Sequence, residues 1–233
     1  MLCRLILDSP HSATFNMAAD EFLMESQKNL NVLPVLRIYF WDSPAVSVGY
    51  FQDVREVARR LGGKEMGTIV RRITGGGLVA HGQDLTFSLC LKNDNPVLPV
   101  DVKMSYLKIN EALRMGLKDL YKELDYADCK TVPSGRPDER RVCFERPSCY
   151  DLLIGKKKVV GASQRRKDGV ILHQSSVFLP DSREILTEKI LKGFREVWKI
   201  KFETEPLSQA EIDLIRKKEK ERYGSAEWSC PVI

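Results

Sequence analysis

The chain has 233 residues, 43% of them hydrophobic, and this length and composition suffice for one large globular domain. It contains no run of about 18 apolar residues, which excludes a transmembrane helix, and its amino-terminal apolar stretch is too short for a secretory signal. The net charge is +5, with acidic and basic residues intermixed. This balance does not indicate a nucleic-acid partner and suits a small acidic protein. We expect a cytoplasmic protein that does not bind a membrane.

The first ninety residues predict a sheet and one helix. Ser12 and Thr14 are suitable caps for a helix through residues 16–24. Alternating, β-branched segments predict strands, which we expect to form a single sheet: residues 1–8, 35–39, 45–49, 68–70 and 85–89.

A long amphipathic helix is predicted next. Apolar residues from Val102 to Leu124 recur with a period of 3.6, so residues 103–124 should be helical and cover one face of the sheet. From Asp125 to Cys149 the periodicity stops and prolines interrupt a charged segment, which we expect to be the longest loop.

The last third predicts a meander of three strands followed by two helices. The strands are expected at 150–154, 158–164 and 170–173, with a turn at Asp168 and Gly169. Apolar spacing predicts a helix from 185 to 198, and Ser208 with Glu211 forms a capping box for a final helix that reaches residue 219.

A glycine-rich segment between two predicted strands is the first candidate site. Residues 71–81 read Arg-Arg-Ile-Thr-Gly-Gly-Gly-Leu-Val-Ala-His. Glycines let a ligand approach the backbone, and the forks of Arg71 and Arg72 can pair with a carboxylate or phosphate. A plain hairpin between two strands is an equally good interpretation. The spacing fits neither a dinucleotide fingerprint nor a Walker loop.

Few side chains offer acid–base chemistry. His81 either orients a reacting group or is a satisfied strand histidine, and His173 lies in a predicted strand. Lys158 opens another strand, where its ammonium could meet a ligand carboxylate, although most of the charge on Lys156, Lys157 and Lys158 should be solvated.

The cysteines show no metal-site spacing, so no metal is expected, and in a chain without an export signal they should be reduced thiols. Their positions are 3, 90, 129, 143, 149 and 230. Cys143 lies beside several arginines, which favour the reactive thiolate. An idle structural cysteine is the competing interpretation, and Cys149 competes as nucleophile.

Taken together, these segments resemble the biotin/lipoate protein ligase superfamily, and within it the lipoate-protein ligases and the cysteine-dependent octanoyltransferases. The resemblance runs from about residue 4 to 230. It is carried by an ordered series of segments: residues 16–21, 36–41, 48–52, 71–81, 143–148 and 158–165.

The resemblance implies an α+β fold like the catalytic domain of class II synthetases, with a mixed, largely antiparallel sheet flanked by helices. Residues 1–233 would form a single catalytic domain without a separate accessory domain. The family's residues map onto Cys143 as acyl-accepting nucleophile and Lys158 as second catalytic residue. The substrate site would comprise Arg71, Arg72, Thr74, Gly75, Gly76, Gly77, His81, Gly161 and Ala162.

Three functions remain open. The favoured one is an octanoyltransferase that moves octanoate from acyl carrier protein, through a Cys143 thioester, to a lysine of a lipoyl-domain protein, either a dehydrogenase E2 subunit or a glycine-cleavage H-like protein. It needs no cofactor. The second is a lipoate-protein ligase that uses ATP and magnesium and forms lipoyl-adenylate. The third is a non-catalytic subunit that binds lipoyl carriers.

One departure from the family supports the third function. Many relatives read His-Gly-Ser or His-Gly-Thr where this chain has Gln174, Ser175 and Ser176. The chain's own His173 is displaced by one residue, which should place it on the opposite face of its strand.

Overall fold

A computed structural model describes residues 1–61, 67–130, 132 and 147–229. Cys143 and Cys230 lie outside the described residues. The strands are β1 Leu2–His11, β2 Val35–Trp41, β3 Ala45–Val48, β4 Thr68–Arg71, β5 Val79–His81, β6 Leu85–Lys92, β7 Leu124–Tyr126, β8 Leu152–Ile154, β9 Lys157–Lys167, β10 Val170–Val177 and β11 Lys201–Thr204. The helices are α1 Ala13–Ser26, α2 Val54–Arg60, α3 Val102–Leu117, α4 Arg183–Trp198 and α5 Gln209–Lys218, followed by a π-helical turn at Glu219–Tyr223.

Eight of these strands form one sheet in the order β11-β1-β2-β6-β10-β9-β8-β7. β1 pairs in parallel with both β11 and β2, and the other pairs are antiparallel. The predicted mixed, largely antiparallel sheet is therefore confirmed, as is the meander of β8, β9 and β10. Asp168 takes a positive φ of 52° and Gly169 one of 77° in the tight turn between β9 and β10, the geometry that an Asp-Gly hairpin requires.

The prediction of a single sheet is wrong. β3 pairs with β4 in parallel and with β5 antiparallel, and these three form a separate sheet. Within the large sheet, β2 pairs directly with β6 and bypasses all three. Alternation marks a strand in either sheet, so it does not say which strands pair.

Helices cover both faces of the large sheet. On one face, α3 and α4 pack against side chains such as Phe87 and Leu36. On the other, α1 and α5 lie over Tyr39 and Leu172. The predicted caps are present, because the Ser12 hydroxyl accepts from the Phe15 N–H and Ser208 with Glu211 forms a complete capping box. Among the described residues, no helix is long and apolar enough to cross a membrane.

Helix α3 is shorter than predicted. It ends at Leu117, where the N–H groups of Leu120 and Tyr121 turn back onto the Leu117 carbonyl. Leu120 is 39% exposed, whereas Leu124 is buried as the first residue of β7. Leu124 continues the apolar spacing of the helix but owes its burial to pairing with β8.

Two glycines bring α3 and α4 into backbone contact. A Cβ on Gly193 would lie 1.9 Å from the Ala112 carbonyl oxygen, and one on Gly116 would lie 1.9 Å from the Lys189 oxygen. Neither position can accept a side chain unless the helices separate, because both obstructing atoms are backbone.

We predict that Gly193→Ala destabilises the protein by at least about 2 kcal/mol, since overpacking outweighs the gain in helix propensity. Urea unfolding followed by circular dichroism measures the change. The control is Glu188→Ala on the exposed side of α4, which should change the unfolding free energy by under about 0.5 kcal/mol. Equal stabilities of the two variants would contradict the backbone contact.

Candidate active site

A cavity open to solvent lies where side chains of the two sheets meet. Its wall combines apolar and polar side chains, which is the usual composition of a small-molecule site. The lining residues are Met17, Tyr39, Trp41, Ser47, Arg72, Val79, His81, Thr86, Gly161, Ala162, Ser163, Gln174 and Ser176. Four predicted site residues are therefore brought together here: Arg72, His81, Gly161 and Ala162.

The guanidinium of Arg72 hydrogen-bonds backbone carbonyls of the glycine run. Its Nη1 donates to the carbonyl and hydroxyl oxygens of Ser47, at 3.0 and 3.1 Å, and its Nη2 donates to the carbonyls of Gly75 and Gly77, both at 2.7 Å. The two terminal nitrogens thus have four acceptors within the protein. Arg72 therefore lines the cavity itself and fixes the glycine run beside it, instead of presenting an open anion clamp.

The run also packs tightly against the end of β3. A Cβ on Gly49 would lie 2.0 Å from the Gly76 carbonyl oxygen, and Gly76 itself has a φ of +90°. The N–H of Tyr50 donates to the Thr74 carbonyl at 2.8 Å. These contacts explain why glycine is needed both at position 49, where a Cβ would clash, and at position 76, where φ is positive.

Arg71 has a different role from its neighbour and does not line the cavity. Its guanidinium donates to the carbonyls of Tyr50, Gln52 and Trp228, at 2.9 to 3.0 Å. These contacts tie the glycine run to the residue 228 region near the carboxyl end, so the structure gives Arg71 a scaffolding position.

Thr74 lies just behind the cavity wall. Its hydroxyl donates to the Gln174 Oε1 at 2.6 Å and accepts from Ser163 at 2.8 Å. The Gln174 amide in turn donates to the buried Asp20 at 2.7 Å. The glycine run is thereby joined to β9, β10 and α1.

His81 is one member of a buried chain of polar groups. Its Nδ1 lies 2.8 Å from the Asp84 carboxylate and its Nε2 lies 2.8 Å from the Ser47 hydroxyl. Its ring stacks on Trp41 at a centroid distance of 3.8 Å. Burial opposes the charge of Asp84, but His81 and the hydrogen bonds from Thr86 and Gly82 lower its pKa overall.

Lys158 is buried, in contrast to the solvated position that its sequence context suggests. Its Nζ lies 2.7 Å from the Asp151 carboxylate, and both side chains are less than 10% exposed. Burial raises the pKa of Asp151, an effect that Lys158 and the Ser148 N–H only partly offset. Lys158 is not among the cavity lining residues, although Gly161 and Ala162 of the same strand are.

The cysteines differ from the prediction of six reduced thiols. Cys129 and Cys149 form a disulfide across a sequence separation of 20 residues, which removes Cys149 as a competing nucleophile. Cys3 and Cys90 are buried thiols, and burial raises the pKa of Cys3 to about 12 and that of Cys90 well above its usual value. The nucleophilic role predicted for Cys143 falls outside the described residues.

Several site residues were not identified from sequence. Ser47, Asp84, Asp151, Ser163 and Gln174 support the predicted side chains or line the cavity themselves. Asp84 had a usable signal, because a carboxylate three residues after His81 can reach the same ring. Within the described residues, no three His, Cys, Asp or Glu side chains cluster as metal ligands.

Comparison with known proteins gives the family. The model of the lipoyl protein ligase A/B catalytic domain matches residues 12–209. The chain belongs to this family. Octanoyltransferase LipM of Carboxydothermus hydrogenoformans is 33% identical to it, and octanoyltransferase LipM of Bacillus subtilis is 31% identical, each over 97% of both chains. The chain is therefore an enzyme of the lipoyl ligase and transferase family.

Solved structures in the family share the fold. Lipoate-protein ligase A bound with ATP matches with a TM-score of 0.77 and 23% identity, covering 100% of both chains. A bi-partite lipoate protein ligase of Thermoplasma acidophilum matches with a TM-score of 0.73 and 22% identity, covering 100% of this chain and 98% of its own. At these identities the similarity extends to the fold alone.

The displaced family histidine lies on the expected side of its strand. His173 points away from the cavity, where it contacts Phe87 and Tyr106 and hydrogen-bonds Gln164 and Ser175. Gln174, the next residue along the strand, lines the cavity. Burial, together with the charge of Arg166, lowers the pKa of His173 to about 3.

This burial predicts a pH dependence of stability. The pKa of an unfolded histidine is about 6.5, so the unfolded state binds more protons than the folded state between pH 6.5 and 3. The contribution is fully present above pH 6.5 and is lost as the pH falls. Relative to His173→Gln, the wild type should lose about 2–3 kcal/mol of unfolding free energy between pH 7 and 4.5.

Urea titrations of both proteins at several pH values measure this difference. The variant serves as the baseline for every other titrating group. Parallel stability curves for the two proteins would show that His173 is not buried in its neutral form.

Proposed function

We propose that the chain is an octanoyltransferase that carries octanoate as a thioester on Cys143 and delivers it to a lysine of a lipoyl-domain protein. The observation that carries this proposal is the identity of 33% to an octanoyltransferase over 97% of both chains. The cavity supports it, because its apolar side chains, including Met17, Trp41 and Val79, suit an alkyl chain.

The chemistry requires two acyl transfers of similar form. The Cys143 thiolate attacks the carbonyl carbon of the octanoyl thioester, a new C–S bond forms, the C–S bond to the carrier breaks, and the carrier leaves as a thiolate that takes a proton from solvent. The lysine amine of the acceptor then attacks the enzyme thioester and loses a proton. An amide forms and the Cys143 thiolate is released.

Lys158 is suited to favour the thiolate in both steps. Its ammonium is fixed by Asp151, which also accepts from the N–H of Ser148, five residues after Cys143 in sequence. A buried cation near a thiol lowers the pKa of that thiol. Backbone N–H groups of the glycine run would hold the oxyanion of each tetrahedral intermediate, a contribution of ~3 kcal/mol per donor.

The proposal implies protein substrates at both ends of the reaction. The octanoyl donor would be octanoyl-acyl carrier protein, and the acceptor a lipoyl domain of a dehydrogenase E2 subunit or of a glycine-cleavage H-like protein. Acidic carriers suit a chain of net charge +5. The reaction would take place in the cytoplasm, within a single domain, and would need neither ATP nor magnesium.

The ligase alternative fits the arginine geometry less well. It assigns Arg72 to an adenylate phosphate, yet both terminal nitrogens of Arg72 donate to Ser47, Gly75 and Gly77. A phosphate bound at either terminal nitrogen would have to displace one of these buried acceptors, which costs about 1–3 kcal/mol for each one left without a partner.

We predict that the protein gains the mass of one octanoyl group when mixed with octanoyl-acyl carrier protein, and that Cys143→Ala abolishes this adduct. Intact-protein mass spectrometry measures it, and hydroxylamine should release the group because it is a thioester. Addition of an apo lipoyl domain should discharge the adduct onto the acceptor lysine.

Cys230→Ala is the matched control, because Cys230 is the other cysteine outside the described residues. It should keep the adduct. An adduct that persists in Cys143→Ala contradicts the nucleophile. If no adduct forms, while lipoate, ATP and magnesium together modify the lipoyl domain, the chain is a ligase.

A further inference from the structure

Four polar side chains form a continuous chain along the cavity wall. Asp84 contacts His81, His81 contacts Ser47, and Ser47 contacts Arg72, at 2.8, 2.8 and 3.1 Å. Arg72 then reaches the carbonyls of Gly75 and Gly77. Ser47, His81 and Arg72 line the cavity, and Asp84 is completely buried behind them.

The direction of these hydrogen bonds follows from Asp84. Its carboxylate also accepts from the Gly82 N–H at 3.1 Å and the Thr86 hydroxyl at 2.8 Å, so it acts as an acceptor throughout. His81 must therefore donate from Nδ1 to Asp84, and in the neutral ring this leaves Nε2 as an acceptor. The Ser47 hydroxyl donates to this Nε2, and its lone pairs remain to accept from Arg72.

The histidine ring is held in one orientation. It stacks on Trp41, whose Nε1 donates to the Thr86 hydroxyl at 2.9 Å. Thr86 donates in turn to Asp84, so Trp41 and His81 are anchored to the same carboxylate. The ring cannot rotate without breaking one of these contacts.

The order Ser, His, Asp is that of a serine hydrolase triad, but the surroundings of Ser47 argue against a nucleophile. Its oxygen already accepts from Arg72, and it lies within the four-residue strand β3, paired on both sides with Val70 and Val79. A catalytic serine of that kind stands at a sharp turn, where its oxygen is accessible.

We propose that Asp84, His81 and Ser47 are positioning residues that fix Arg72 in the wall of the acyl site and, through Arg72, hold the glycine run beside that wall. This inference rests on the proposed octanoyl transfer, because the site it supports is the acyl cavity. The glycine carbonyls are held by a guanidinium that is itself held by the Ser47 carbonyl and by a hydroxyl, an imidazole and a carboxylate in series.

The kinetic test compares Ser47→Ala with Ser47→Thr. Loss of the hydroxyl removes one acceptor of Arg72 and should raise the KM for octanoyl-acyl carrier protein by ~10-fold, with a smaller change in kcat. Threonine retains the hydroxyl and should restore the KM to within about 3-fold of wild type. Steady-state transfer of octanoate to an apo lipoyl domain at several concentrations of octanoyl-acyl carrier protein, followed by mass spectrometry, gives both constants.

Ser175→Ala is the matched control. Ser175 is also a buried serine bonded to a histidine Nε2, at 2.7 Å from His173, but the pair faces α3 and α4 instead of the cavity. Ser175→Ala should lower the melting temperature without changing the KM for octanoyl-acyl carrier protein. The proposal is overturned if Ser47→Ala lowers only the melting temperature, or if Ser47→Thr is as defective as Ser47→Ala.

A second measurement needs no activity. The ¹⁵N shifts of labelled histidine should show His81 as the Nδ1–H tautomer in the wild type. In Asp84→Asn, an amide replaces one carboxylate oxygen and should shift the proton to Nε2. A wild-type His81 with its proton on Nε2 overturns the relay. If acylation fails in every protein while the tautomer is as expected, the transferase function fails and the relay stands.

Discussion

The buried carboxylate of Asp20 joins the elements on which the cavity is built. Its Oδ1 accepts from Arg37 at 3.0 Å and Ser88 at 2.7 Å, and its Oδ2 accepts from Tyr39 at 2.8 Å and Gln174 at 2.7 Å. The charge is thus surrounded by donors from β2, β6 and β10, while Asp20 itself belongs to α1. Removing one partner of such a buried pair costs about 3–5 kcal/mol, because the other charge is left uncompensated.

A chain of hydrogen bonds also connects this carboxylate to the glycine run. Gln174 links Asp20 to Thr74, and Thr74 links to Ser163 on β9. On the far side of the run, Arg72 donates directly to the carbonyls of Gly75 and Gly77 and is itself bonded to Ser47, which contacts His81. The run therefore has two independent attachments, one to the large sheet and one to the small sheet. A segment held from both sides beside the cavity does not need to reorganise when a ligand binds, which lowers the cost of binding.

Local sequence patterns predicted the parts of the fold that depend on local geometry. Three predicted features are present: the turn at Asp168 and Gly169, the Ser208 capping box and helix α4. Each is decided by a few neighbouring residues. The division into two sheets, the end of α3 at Leu117 and the bond between Cys129 and Cys149 were not predicted. Each depends on pairing between segments distant in sequence, which alternation and spacing do not specify.

In the candidate site, too, the local sequence did not predict the role of each single residue. Arg71 and Arg72 are neighbours, yet one binds carbonyls near the carboxyl end and the other turns into the cavity wall. Side chains of successive residues in an extended segment point to opposite faces, and the same rule separates Gln174 from His173. A family motif therefore identifies a segment more reliably than it assigns a role. The cavity face of β10 therefore presents the amide of Gln174, which donates to Asp20 and accepts from Thr74, while the imidazole of His173 lies on the opposite face.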